Sequence, residues 1–194
     1  MRIEEEIKLD YSDVLFRPKR STLKSRKDVD LNRKYTFKHS RSSWKGIPII
    51  ASNMDGVGEI DVAKKLSSHK LMTALTKQHD INKIGTIYKK NIFFDSIALS
   101  CGTSKDSYNR LNSILKKYPK FKFICIDVAN GYSENFSNFV SEVRKKYPKK
   151  TIIAGNVVTA DMTQELVLSG ADIVKVGIGP VSYTHLRAHE TACY

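Results

Sequence analysis

From Gly46 onward the chain alternates compact apolar runs with segments whose apolar residues recur every three or four positions. The runs Ile47 to Met54, Leu71 to Thr76, Ser96 to Cys101, Phe121 to Val128, Thr151 to Val158 and Ile173 to Val176 predict six strands. Between them, Val62/Ala63/Leu66, Ile81/Ile84/Tyr88, Tyr108/Leu111/Leu115/Tyr118, Phe136/Phe139/Val140/Val143/Tyr147 and Met162 to Leu168 predict five helices. Thr103-Ser-Lys-Asp106 has the composition of a helix cap before the third of these. The strands are continuously apolar, the pattern of strands covered on both faces, so parallel βα units are expected. A doubly wound sheet and a (β/α)8 barrel both fit this pattern. Residues 1–45 are polar and irregular; Asp13 to Thr22 holds one short apolar run and a basic turn, read as a small β element with an arm.

Composition narrows the class. A hydrophobic fraction of 41% with 27% charged residues belongs to a soluble globular chain. No apolar run approaches the roughly 18 residues of a membrane span. The N-terminus has no apolar signal core, so a cytoplasmic location is expected. Cys101, Cys125 and Cys193 have no paired spacing, which argues against a disulfide framework or a zinc site. The net charge of +13 comes from lysines scattered over helix faces and loops, such as Lys64-Lys65 and Lys145-Lys146. That scatter reads as solvated surface, and no nucleic-acid partner is expected.

The residues following the strands carry the chemistry. These are Ser52-Asn-Met-Asp55, Thr76-Lys-Gln-His79, Ser100-Cys-Gly-Thr103, Asp127-Val-Ala-Asn-Gly-Tyr132, Gly155-Asn156 and Gly177-Ile-Gly-Pro180. In a parallel barrel such ends converge on one face, where active sites lie. Taken singly, each has a plainer role. Asp127 suits a cap for the helix starting near Ser133, Lys77 a solvated loop residue, and Asn53 and Asn156 turn positions. Cys125 reads as a buried structural thiol, and Cys101 lacks a local activating partner. His185 and His189 have helix-face spacing but no evident third ligand.

Several long motifs resemble the IMP dehydrogenase/GMP reductase family. They are Tyr11-Ser-Asp-Val-Leu-Phe-Arg-Pro-Lys-Arg-Ser-Thr-Leu-Lys-Ser-Arg26, Pro48-Ile-Ile-Ala-Ser-Asn-Met-Asp55, Asp127-Val-Ala-Asn-Gly-Tyr-Ser133, Ala154-Gly-Asn-Val-Val-Thr159 and Ser169-Gly-Ala-Asp-Ile-Val-Lys-Val-Gly-Ile-Gly-Pro180. The Asp127 motif, and the short helix separating Lys77 from the third strand, place the resemblance on the reductase side. The resemblance implies an α/β fold, a (β/α)8 TIM barrel truncated to about six of its eight strands. It also implies NADPH-dependent conversion of GMP to IMP and ammonia, a monovalent cation (potassium), and a homotetramer. In the family a cysteine after strand six attacks the purine C2, and the cofactor then delivers hydride.

By the same resemblance Ser25, Arg26, Lys77, Asp127, Val128, Ala129, Ile178 and Gly179 are cofactor-binding, with the Gly179 carbonyl also a cation ligand. Asn53, Asp55 and Asn156 are substrate-side candidates. Three departures stand out. Thr76-Lys-Gln78 replaces the usual His-Lys-His, and Gly56 replaces a threonine. After Pro180 the family continues Gly-Ser-x-Cys-Thr-Thr-Arg, whereas this chain continues Val181-Ser-Tyr-Thr184. Residues 1–180 are therefore read as an incomplete barrel domain and 181–194 as an unrelated tail, artefactual or frameshifted, so no catalytic residue is assigned. A chain inactive as a reductase is expected. The alternatives are an IMP dehydrogenase-type parent and a non-catalytic nucleotide- or subunit-binding fragment.

Overall fold

A computed structural model describes residues 13–78, 84–85 and 94–177. The chain divides into two units, Met1–Asp30 and Leu31–Tyr194. In the described part of the first unit, Arg26–Asp28 forms a single 3-10 turn. Ser25 Oγ accepts from Lys27 N at 3.3 Å, and Asp28 Oδ2 accepts from Ser25 N at 3.0 Å. That reciprocal cap is what a serine three residues before an acid provides.

The second unit opens with an antiparallel hairpin, β1 (Arg33–Thr36) and β2 (Ser43–Gly46). This corrects the reading of residues 31–45 as irregular. All four β1 side chains are exposed, and only Trp44 and Gly46 of β2 are buried. The alternation that marks a strand is therefore confined to two positions.

Six parallel strands follow: β3 (Ile50–Ala51), β4 (Met72–Ala74), β5 (Ile97–Cys101), β6 (Phe123–Asp127), β7 (Thr151–Val157) and β8 (Ile173–Val176). Their order in the sheet is their order in the chain. A doubly wound sheet reverses direction at a switch point; here there is no reversal, which leaves the barrel topology. The described helices are α1 (Ile60–Ser68), α2 (Lys105–Lys117), α3 (Glu134–Lys146) and α4 (Ala160–Leu168). Ser104 caps α2, accepting from Ser107 N at 3.3 Å, and Thr159 caps α4. Of the helix expected around Ile81 to Tyr88, Ile84 and Gly85 are helical and the rest lies outside the described residues. The first strand is shorter than predicted because Pro48 lacks a donor and Ile49 N turns back to Ile47 O at 2.7 Å.

Adjacent strand residues go to opposite faces. Ile97, Leu99, Ile124, Ile126 and Ile152 join Leu111, Phe136, Val140 and Leu166 in the layer under the helices. Ala98, Phe123, Cys125 and Ile153 join Phe37 and Trp44 from the hairpin on the inner face. Phe37 meets Phe123 edge-on, with ring centroids 5.7 Å apart. Both faces are covered, which is why the strands read as unbroken apolar runs.

Asp172, just before β8, fixes the hairpin to the sheet. Its side chain is fully buried. Oδ1 accepts from His39 N at 2.8 Å and Ser40 N at 3.2 Å; Oδ2 accepts from Arg144 Nη2 at 2.6 Å and Ile152 N at 3.1 Å. Beside it, the Ser40 and Ser42 hydroxyls lie 3.0 and 2.8 Å from Thr151 Oγ1.

Candidate functional site at the strand ends

Register alone sets up the centre of the site. Asp127 on β6 pairs with Gly155 on β7, and Gly155 pairs with Lys175 on β8. The three form one row across three strands. A Cβ on Gly155 would lie 2.6 Å from both Lys175 Cβ and Lys175 O. The missing side chain leaves a gap over which the outer two residues meet. Lys175 Nζ accordingly bonds Asp127 Oδ1 and lies 3.5 Å from Asn53 Oδ1. Lys77, in the loop after β4, donates to the Asp127 main-chain oxygen at 2.7 Å and lies 3.4 Å from Oδ2.

These contacts decide the state of Asp127. Burial raises its pKa, but hydrogen bonds from Lys175 and Asn53 and the charge of both lysines outweigh burial. The carboxyl is held below its ordinary value and is ionised at neutral pH. One carboxylate between two ammonium groups leaves a net positive charge. Asp127 therefore does not cap the following helix, whose N-cap is Ser133. Lys77 is not a free loop lysine.

Asn156 follows in β7. Its main chain is tied on both sides, with Asn156 N donating to Val128 O at 3.0 Å and Gly131 N to Asn156 O at 2.9 Å. Its side-chain Oδ1 is buried and has no hydrogen-bond partner among the described residues. An orphaned buried acceptor is costly unless a donor meets it. Val128 is half-buried against the core, and Ala129 is exposed. Gly131 packs so tightly that a Cβ would lie 2.8 Å from Asn156 O and 2.9 Å from Val157 Cγ1. The next residue, Tyr132, accepts from Val158 N and Thr159 N, both at 3.0 Å, and so joins the β6 and β7 loops. Thr159 and those amides draw its phenol pKa down.

The remaining expectations distribute as follows. Asn53 is half-buried and belongs to the cluster, whereas Asp55 is exposed in the turn 55–57 and is not among the partners of Asp127 or Lys175. Ser25 and Arg26 lie in the first unit, with the Ser25 hydroxyl engaged in its own cap. Ile178, Gly179 and the whole of 181–194, including His185, His189 and Cys193, lie outside the described residues. Gly177, the last described, has φ of +132°, a conformation that favours glycine. Burial pushes the Cys101 thiol up to about 12 and the Cys125 thiol up to about 11. Both are protonated at neutral pH and are poor nucleophiles. Among the described residues, no three His, Cys, Asp or Glu side chains gather as a metal site. No helix among them is long and apolar enough to cross a membrane.

A cavity of about 420 Å³ lies elsewhere, lined by residues such as Phe37, Trp44, Ile50, Met72 and Ile173. It contains none of the strand-end polar groups, so size alone does not mark the chemistry. Sequence reasoning assigned no role to Lys175, which sits inside an apolar strand. The available signal was the glycine opposite it in the neighbouring strand.

A family model described as the IMP dehydrogenase / GMP reductase domain matches residues 8–191. A GMP reductase of Caenorhabditis elegans is 51% identical over 188 residues, covering 96% of this chain and 52% of that protein. A GMP reductase of Citrobacter koseri is 53% identical over 190 residues, covering 96% of this chain and 54% of that protein. The crystal structure of inosine 5′-monophosphate dehydrogenase from Legionella pneumophila aligns with a TM-score of 0.73 at 26% identity, covering 92% of this chain and 54% of that one. The chain spans about half the length of the curated relatives it matches.

Proposed function

Since the chain belongs to the IMP dehydrogenase/GMP reductase family, we propose that it is part of a GMP reductase and carries the cofactor-facing portion of that enzyme's site. The parent activity is conversion of GMP to IMP and ammonia with oxidation of NADPH. The observation that carries this reading is the Asn53–Lys77–Asp127–Lys175 cluster at the strand ends. Relatives at about 50% identity bear the reductase name, against 26% for the aligned dehydrogenase structure, and this favours the reductase over an IMP dehydrogenase parent.

The residues present fit such a cofactor. A nicotinamide carboxamide has an oxygen that can accept from an ammonium such as Lys77, which is tethered at the strand ends and 39% exposed. Lys77, Asp127, Val128 and Ala129 would line its side of the site; Ile178, Gly179, Ser25 and Arg26 are assigned to the cofactor by the family resemblance alone. Arg26 suits a phosphate partner. Asn53, Asp55 and Asn156 would face the nucleotide. When bound, NADPH supplies the hydride. The chain's own contribution is an ionised, immobilised Asp127 and a lysine held at a fixed place. Potassium at the Gly179 carbonyl and assembly into a homotetramer belong to the same proposal.

We propose further that, although the family match runs to residue 191, the chain departs from the family's cysteine loop after Pro180, where Val181-Ser-Tyr-Thr184 stands, so that this chain turns over no substrate. Sequencing the native transcript across codons 178–194 tests this: a Cys-Thr-Thr-Arg loop in frame supports it, and reproducible termination at Tyr194 refutes it. Calorimetric titration with NADPH and GMP, alongside absorbance at 340 nm, tests the site. Binding without turnover is expected. Turnover of GMP refutes the inactive state, turnover of IMP with NAD points to the dehydrogenase, and a folded chain that binds neither ligand refutes the reading.

A further inference from the structure

Lys175 belongs to the cluster but is assigned neither to cofactor nor to substrate above, yet it makes the closest contact with Asp127. We propose that Lys175 is a positioning residue: it takes one oxygen of Asp127 and thereby leaves the Lys77 ammonium tethered but not neutralised. The inference rests on the proposed function only for its biological meaning, namely that Lys77 faces the cofactor.

The geometry divides the carboxylate between two cations. Oδ1 goes to Lys175, whose Nζ also reaches Asn53 Oδ1 at 3.5 Å. Oδ2 is left facing Lys77 at 3.4 Å, a loose ionic contact. The firm hold on Lys77 is the uncharged main-chain oxygen of Asp127, at 2.7 Å. A lysine ammonium has three donors. Lys77 commits one of them to the carbonyl, keeps most of its charge, and is 39% exposed.

Without the Lys175 ammonium, Lys77 would be the one cation left to the carboxylate among the described residues, beside the neutral Asn53 amide. A charge-assisted bond shorter and stronger than the present contact would form. Lys77 would then be neutralised and drawn towards the strand end, and would have less to offer a ligand. Gly155 makes the arrangement possible, because any side chain there would fill the space that Lys175 crosses. Lys175 itself is 31% exposed and is flanked by Asn53 and Asp127, so it is poorly placed to meet a ligand directly.

Trace acetylation of the full chain, read lysine by lysine by mass spectrometry, tests this without activity or ligand. In the wild type Lys175 is expected to label more slowly than Lys77. In Lys175→Met and Lys175→Gln, Lys77 is expected to label at least about threefold more slowly, since it gains a charge-assisted bond. Lys175→Arg is expected to keep the wild-type rate at Lys77. Lys150 reports folding, because its ammonium is tied to Pro119 O and Phe121 O at 2.5 and 2.6 Å and labels fast only if that packing is lost.

Unchanged labelling of Lys77 in folded Lys175→Met and Lys175→Gln overturns the proposal. So does a wild type in which Lys175 labels as fast as Lys77, a result that decides the matter even if both neutral variants unfold. Protection of Lys77 by NADPH in the wild type is a separate readout. Its failure would count against the proposed function and leave the positioning role standing.

Discussion

Replacing Asp172 by asparagine should be the most damaging isosteric change in the chain. The carboxylate receives four donors, His39 N and Ser40 N on one oxygen and Arg144 Nη2 and Ile152 N on the other. A carboxamide has one acceptor oxygen and one NH2 group. Whichever way it is turned, one pair of donors faces another donor. The Arg144 guanidinium also loses its counter-charge while its side chain is only 14% exposed. Burial already disfavours that charge, and Asp172 is what opposes the effect. Breaking a buried pair in this way costs about 3–5 kcal/mol. A domain typically has about 5–15 kcal/mol in total. For a unit of this size Tm should fall by about 6–20 °C.

The chain's one tryptophan, Trp44, is buried in the hairpin that Asp172 holds, so its fluorescence during urea unfolding at low micromolar concentration reads the event. Arg144→Met should cost a comparable amount, because it also strips the donors from Gly170 O and Lys150 O, at 2.9 and 2.8 Å. The double variant should be less destabilised than the sum of the two single variants by more than about 0.5 kcal/mol, the scatter of independent sites. A loss below about 1 kcal/mol for Asp172→Asn, or an additive cycle, would refute the account.

Other outcomes follow from the same contacts. The Asp127 pKa is lower in the fold than in the unfolded chain, so its contribution to stability is present above about 4, the ordinary range, and is lost as pH falls through the folded value. Asp127→Asn should therefore flatten the acid limb of stability against pH; an unchanged limb rules that contribution out. The Cys101 thiol is raised to about 12, so its stabilising effect holds below the ordinary thiol value of 9.0 and fades above it. Alkylation of Cys101 and Cys125 at neutral pH should track global unfolding, and fast modification of the native chain would contradict their burial. Gly131→Ala forces a Cβ to within 2.8 Å of Asn156 O, for a cost of about 1–3 kcal/mol measurable by thermal melts. The outer strands β3 and β8 each lack a neighbour on one side among the described residues, and Val176 is 62% exposed. Self-association should therefore rise with concentration in sedimentation and be reduced by Val176→Lys.

Much of the sheet was legible because its strands are covered on both faces. Ile97 to Cys101 and Phe123 to Asp127 stand out as apolar runs regardless of tertiary detail. The hairpin was not legible, since β1 buries no side chain and its anchoring comes from Asp172, well over a hundred residues away. The site was half legible. Polar groups after strands flagged Lys77, Asp127, Asn53 and Asn156, but the partnership of Lys175 depends on register across a glycine, which no local window contains. Asp55 shares a motif with Asn53 yet has no common partner with it among the described residues, because Asp55 sits in the exposed turn 55–57.

Strand order equal to chain order has a consequence for synthesis. As the chain emerges, each new βα segment finds its docking edge already in place, and the sheet grows by one neighbour at a time. Such growth closes only short loops and so avoids the largest entropic delays. The hairpin breaks this economy. Emerging before the sheet, it must wait for Thr151 and then for Asp172, 111 and 133 residues downstream of its own turn. The hairpin, made before the sheet, is thus fully fastened only after it, and its closure records that the sixth strand has arrived.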